Sequence, residues 1–338
     1  MTTLLRHLRL ILGALLLAWM AAAAAPAGAQ HINPTAESVK EEELLKAAKR
    51  ISGECSLPDR KACTLEQPRG RDWRSWYQGA VRWMGGLAIL GMIAVVIAFY
   101  MIRGPIRIEH GRTGRIMRRF GAFERFVHWT ATICFIILAL SGLNLTFGKA
   151  LILPVIGPEA FTTISRWGKY AHNYLSFPFT LSVIAIFLMW IRWNLPSRLD
   201  IQWMMEGGGF GEKHPPADLF NAGQKSIYWV VVMGGAVVAA TGYVLMLPFW
   251  ITGIVGMQLA QLAHVLVALL YIAAMVFHVY MGTVGEEGAF EGMWDGTVDE
   301  EWAKQHHSVW YERELGKGNI PVAPPPQGKV EGKVQPAE

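Results

Sequence analysis

Five apolar runs of membrane-crossing length lie between residues 83 and 281, set apart by polar or charged connections. They extend from Trp83 to Ile102, from about Phe126 to Phe147, from His172 to about Trp193, from Ile227 to about Pro248, and from Gln258 to Met281. About 20 residues at a rise of about 1.5 Å cover the roughly 30 Å of hydrocarbon in a bilayer, so each run predicts one spanning helix. A helix satisfies its own backbone N–H and C=O groups where no water can. The pattern therefore predicts an all-α, polytopic membrane helix bundle. No internal repeat is visible along it.

The flanks of these runs orient them. Arg6 and Arg9, an apolar stretch from Leu10 to Trp19 and an alanine run ending at Ala27-Gly28-Ala29 have the layout of a secretory signal peptide over residues 1–29, cleaved after Ala29. Residues 30–80 then form an exported N-terminal region, with a short helical pattern from Glu41 to Arg50, and residues 83–102 the first mature span. The connection at 103–125 carries Arg103, Arg107, Arg112, Arg115, Arg118, Arg119 and Arg125, seven arginines that mark the cytoplasmic side. Lys149, Arg166 and Lys169 in the next connection dissent mildly and are outweighed. The mature amino terminus is expected outside and the carboxyl terminus in the cytoplasm. Residues 282–338 form a polar tail, rich in proline and glycine after Lys317, whose last twenty residues are expected to be disordered.

Composition agrees: 52 % of the 338 residues are hydrophobic, and 14 tryptophans suit interfacial belts. The net charge of +5 sits beside the apolar spans rather than on a soluble module, which excludes nucleic-acid binding. Of the three cysteines, Cys55 and Cys63 fall in the exported region and are candidate disulfide partners, while Cys134 sits in an apolar helix as a small buried side chain.

Candidate chemistry enters with histidine. Between Gln258 and Met281 only His264 and His278 titrate near neutral pH. Fourteen residues apart, they lie about 21 Å from each other along the helix axis and face nearly the same way. One helix thus offers an imidazole near each side of the membrane. With the orientation above, His128 begins its span at the cytoplasmic edge, where His278 ends its own, and His172 and His264 both stand near the start of spans that enter from outside. Only the pairs His128/His278 (inner) and His172/His264 (outer) match in depth. Two imidazoles per level suit two six-coordinate b-type haems, whose iron then has no open position for oxygen. Gly142, fourteen residues beyond His128, falls near the outer level, either to give a macrocycle room or as ordinary close packing of helices. His7, His31, His110, His214, His306 and His307 lie in the leader or in polar segments and are assigned to no iron.

The stretches FERFVHWTATICFIILALSGLNL, LFNAGQKSIYW and WDGTVDEEWAKQHHSVWYEREL resemble the gamma subunit of membrane-bound respiratory formate dehydrogenase, a dihaem cytochrome b. The likeness covers roughly Phe120 to Leu315. It implies a four-helix dihaem core over residues 126–281 plus one additional N-terminal transmembrane helix, with His128, His172, His264 and His278 as axial ligands of two haem b irons. It also implies a bacterial inner-membrane subunit of anaerobic respiration, partnered by an iron-sulfur beta subunit and a molybdenum or tungsten catalytic alpha subunit, that reduces a quinone. The family's quinone site carries over onto Asn221, Gly223 and His278; a helix cap at Asn221 is the competing reading. The leader, the segment with Cys55 and Cys63 and the first mature span have no counterpart in the shorter family members. The Arg125-x-x-His128-Trp129 start and the later Ser141-Gly142 are shared with cytochrome b subunits of hydrogenases, so a subunit of a nickel-iron hydrogenase or of another molybdenum or iron-sulfur oxidoreductase is an alternative. A non-redox anchor or transporter whose histidines relay protons or bind a transition metal is a third reading.

Overall fold

The computed structural model describes residues 70–208 and 213–323. The leader, the Glu41–Arg50 pattern, and Cys55 and Cys63 lie outside the described residues. Within them, five helices are long and apolar enough to cross a membrane: Asp72–Arg103, Ala122–Leu151, Leu153–Trp193, Ala222–Met246 and Ile254–Gly285. The fold is helical, as the apolar pattern requires, with one small two-stranded sheet.

The third span departs most from expectation. Its helix begins at Leu153, so His172 lies well inside it rather than at its start. Gly157, at φ 77°, takes a left-handed conformation that L side chains avoid, and Pro158 follows it. Proline fits the first turn of a helix, where its missing N–H has no partner to lose. The breakers at Pro154, Gly157 and Pro158 thus kink a helix instead of forming an extended connection. The fourth span also departs from regular geometry, passing through a π-turn at Val230–Gly234.

The described chain forms two compact units. The first takes in the described residues up to Ile97, Phe126–Trp190 and Tyr228–His278. Its helices meet through small residues, which let backbones approach where lipid supplies no hydrophobic drive. A Cβ on Gly235 would stand 3.0 Å from Val183, and one on Gly85 only 2.6 Å from the Leu269 Cβ. Leu87, Leu90, Ile133 and Leu188 point outward and are exposed, as expected where the solvent is hydrocarbon. Cys134 is a buried free thiol.

The second unit comprises Ala98–Arg125, Ile191–Ile227 and the described residues from Val279 onward. Segments that read as separate connections and a tail are built together here. Strand β1 (Ile116–Arg118) pairs antiparallel with β2 (Thr297–Asp299), Met117 opposite Val298, and both of those side chains are buried. Gly296, just before β2, has φ 92°, and its carbonyl accepts from the Arg119 N–H; a Cβ there would strike the Phe120 carbonyl. Asp299 caps the helix Glu300–His306 through the Glu301 N–H and also accepts from the amides of Thr113 and Gly114. The expected disorder after Lys317 does not hold as far as Val322, which exchanges two backbone hydrogen bonds with Ile116.

Arg119 is the centre of this unit. Its Nη2 donates to the Leu219 carbonyl at 2.8 Å and to His307 Nε2 at 3.0 Å. Its guanidinium lies over Trp302 at 4.6 Å. Because Arg only donates, His307 Nε2 must accept, and Nδ1 then donates to the Asp218 carbonyl at 2.6 Å. Burial pushes Arg119 down to about 9, still charged at neutral pH. Three other arginines of the 103–125 connection find acids and carbonyls of the tail: Arg112 with Glu287 and Glu291, Arg115 with Glu300, Arg125 with the Trp294 carbonyl.

Burial holds His306 and His307 below the usual imidazole range, with the Arg119 charge a second cause at His307. The unfolded chain then takes up protons below about pH 6.5 that the folded unit refuses, so stability is full above that pH and falls as pH drops through it. Amide hydrogen exchange across residues 300–316 of the solubilised chain should lose protection between about pH 7 and pH 5, with a shallower slope in His307→Gln. An equal slope in the variant would contradict this assignment.

Candidate functional site

The four intramembrane histidines all belong to the first unit and meet in two pairs. His128 on the second span faces His278 on the fifth, ring centres 6.3 Å apart and planes at 64°. His172 on the third span faces His264, also on the fifth, at 6.1 Å and 66°. A metal between two imidazoles gives nearly this interval: bonds of about 2 Å on each side, and about 1.2 Å from each nitrogen to its ring centre, come to about 6.4 Å. Among the described residues no three of His, Cys, Asp and Glu converge on a common point. Paired imidazoles instead suit a metal whose other positions a flat macrocycle fills.

The His172/His264 pair is held from behind. Ser141 Oγ lies 2.9 Å from His172 Nδ1, and Thr241 Oγ1 lies 3.0 Å from His264 Nδ1. Each hydroxyl donates one turn back along its own helix, Ser141 to the Ile137 carbonyl at 2.7 Å and Thr241 to the Val237 carbonyl at 2.6 Å. The next residue in each case is glycine. A Cβ on Gly142 would stand 3.4 Å from His172 Cε1, and one on Gly242 3.2 Å from His264 Cε1. Gly142 therefore gives room to an imidazole, a role that neither earlier reading of it named. The doublets Ser141-Gly142 and Thr241-Gly242 repeat the same geometry on the second and fourth spans; their spacing of one hundred residues gives no local signal.

Between the two pairs lies an aromatic layer. Tyr271, seven residues from each of His264 and His278, is buried, with Phe135 at 4.9 Å and Phe179 at 6.5 Å between ring centres. Phe135 and Phe179 each stand seven residues beyond a histidine, His128 and His172. Two helical turns separate each ring from the imidazole on its own helix. Gly234 lies against it: a Cβ there would stand 3.6 Å from the Tyr271 ring.

Comparison with known proteins decides the family. Residues 119–296 match the family described as prokaryotic cytochrome b561. The chain belongs to that family. It is a membrane cytochrome b, and the family implies haem b, which the paired imidazoles fit. The nitrate-inducible formate dehydrogenase cytochrome b556(Fdn) subunit of Escherichia coli (strain K12) is 30 % identical over 201 residues, 57 % of this chain and 89 % of that protein. A second Escherichia coli protein, the formate dehydrogenase cytochrome b556(fdo) subunit, is 27 % identical over 204 residues, covering 59 % and 93 %. The formate dehydrogenase cytochrome b556 subunit of Haemophilus influenzae (strain ATCC 51907 / DSM 11121 / KW20 / Rd) is 26 % identical over 216 residues, covering 62 % and 87 %.

In this cytochrome Asn221 and Gly223 belong to the second unit, and each has a structural task. Asn221 Oδ1 accepts from the Gln224 N–H at 2.9 Å while Gln224 Oε1 accepts from the Asn221 N–H at 3.2 Å, a capping box at the start of the fourth span. A Cβ on Gly223 would stand 3.2 Å from the Trp203 ring. Lys225, buried, bonds Asp200 at 2.9 Å and ties the helix Arg198–Met205 to that start. Outside the membrane, His110 pairs with Glu301 and His214 with Glu109. His307 is fixed by Arg119, and the His306 ring lies 5.4 Å from the Trp302 ring. His7 and His31 lie outside the described residues.

Proposed function

We propose that this chain is the electron-carrying, membrane-anchoring cytochrome b subunit of a respiratory formate dehydrogenase. In this reading His128 and His278 hold one haem b iron, His172 and His264 hold a second, and a membrane quinone is the acceptor. The observation that carries it is the meeting of four imidazoles in two pairs, 6.3 and 6.1 Å between ring centres, at two levels of one helix core. The names of its relatives support formate dehydrogenase as the enzyme. Haem b supplies one-electron transfer when bound. Two histidines per iron leave no coordination site for oxygen, which suits transfer rather than oxygen chemistry.

The arginines between residues 103 and 125 support a cytoplasmic position for that connection, in the bacterial inner membrane. His172 and His264 then face the exported side, where an iron-sulfur subunit and a molybdenum or tungsten formate-oxidising subunit dock. Inward electron movement adds to the membrane potential, about 2.3 kcal/mol per charge per 100 mV. The resemblance brings Asn221, Gly223 and His278 to the quinone. Since Asn221 Oδ1 serves the cap, a quinone carbonyl would be met by the Nδ2 amide.

Reduced-minus-oxidised spectra of the purified full chain should show about two b-type haems per polypeptide by this axial-ligand reading. His264→Ala and His172→Ala should each remove the same one, and His128→Ala and His278→Ala the other. Absence of a b-type spectrum ends the proposal. Copurification with a formate-oxidising chain supports the dehydrogenase assignment, and copurification with a nickel-iron hydrogenase replaces it.

For the quinone, Asn221→Asp keeps the capping oxygen but loses the amide donor. It should slow quinone reduction severalfold at unchanged haem content, on the roughly 0.5–1.5 kcal/mol that a hydrogen bond is worth. Asn221→Ala should do the same and also lose about 1 kcal/mol of helix cap. Unchanged turnover in Asn221→Asp removes Asn221 from the site.

A further inference from the structure

The two histidine pairs are built differently. Behind His172 and His264 stand hydroxyls whose own protons are committed to the Ile137 and Val237 carbonyls. The lone pairs of Ser141 Oγ and Thr241 Oγ1 are therefore the groups that face Nδ1, at 2.9 and 3.0 Å. A hydroxyl used in this way accepts, so Nδ1 is the protonated nitrogen on both rings and Nε2 keeps its lone pair free to bind a metal. In the other pair, His128 Nδ1 is buried with no hydrogen-bond partner among the described residues.

We propose that Ser141 and Thr241 are positioning residues that fix the Nδ1–H tautomer of His172 and His264 and hold the potential of the iron between them lower than that of an iron held by His278 and by His128, whose Nδ1 has no such partner among the described residues. An N–H···O bond from Nδ1 adds electron density at Nε2, which favours ferric over ferrous iron. Gly242 belongs to the same arrangement, because a Cβ there would stand 3.2 Å from the His264 ring, tighter than side chains ordinarily pack. The alternative is that Ser141 and Thr241 only bond back to their own helices, as such residues do throughout membrane proteins. That role predicts no effect on potential.

The inference rests on the ligand assignment above, and the test separates the two. In detergent-solubilised full-length protein, the b-type absorbance is titrated against electrode potential, with His264→Ala identifying which component belongs to His172/His264. Ser141→Ala and Thr241→Val should each shift that component's midpoint upward, together shift it further, and leave the other component in place. Ser141→Thr and Thr241→Ser should restore the original midpoint. Loss of only the His172/His264 haem in Ser141→Ala, with recovery in Ser141→Thr, supports the same conclusion. Two retained haems with unmoved midpoints, equal shifts of both components, or loss of both haems overturn it. If His172→Ala and His264→Ala themselves leave both haems bound, the ligand assignment fails instead.

Discussion

Hydrocarbon offers a polar group nothing to bond, and this chain carries four imidazoles into it. An imidazole has two nitrogens with opposite needs when neutral, one donating and one accepting. The first unit meets both needs for His172 and His264. On one side each ring has a hydroxyl of a neighbouring helix, and on the other a second imidazole at the interval a shared metal demands. Which helices can be neighbours follows from this. The fifth span must stand between the second and third to offer His278 to one and His264 to the other. Glycines at 85, 235 and 242 allow the close approach.

Outside the membrane-crossing core the organising problem is charge. Arg119 is half-buried, and a guanidinium drawn away from water persists only where its charge is answered. Two of the answers are a carbonyl of the 191–227 segment and an imidazole of the tail, and a third is the face of Trp302. Arginines that orient a membrane protein are thus reused to gather three remote segments into one body. Removing either of the other two segments leaves the guanidinium in place without part of its partners.

Local signals were strong where the chain is monotonous and weak where it folds back on itself. Spans were legible because nearly twenty consecutive apolar residues admit one interpretation in a bilayer, and the histidine partners because so few titratable groups occur within the spans. The start of the third span was hidden: Pro154, Gly157 and Pro158 look the same in a loop and in a kinked helix. The pairing of Ile116–Arg118 with Thr297–Asp299 joins residues some 180 positions apart and leaves no periodic trace. Ser141 and Thr241 were hidden for a different reason, since a lone hydroxyl in an apolar run ordinarily turns back on its own helix. Here each does that and also meets a neighbouring ring. Asn221 and Gly223 carry both readings in full, because a cap and a donor use different atoms of one amide.

Because His264 and His278 share one uninterrupted helix, the interval between the two imidazole levels is set by backbone rise and not by side-chain packing. Tyr271 marks the midpoint of that interval. Side chains facing lipid can drift freely through such a segment, but its length cannot. Gain or loss of a single residue between positions 264 and 278 would swing one ring about 100° around the axis, away from its counterpart. The helix works as a ruler, and its tolerance is less than one residue.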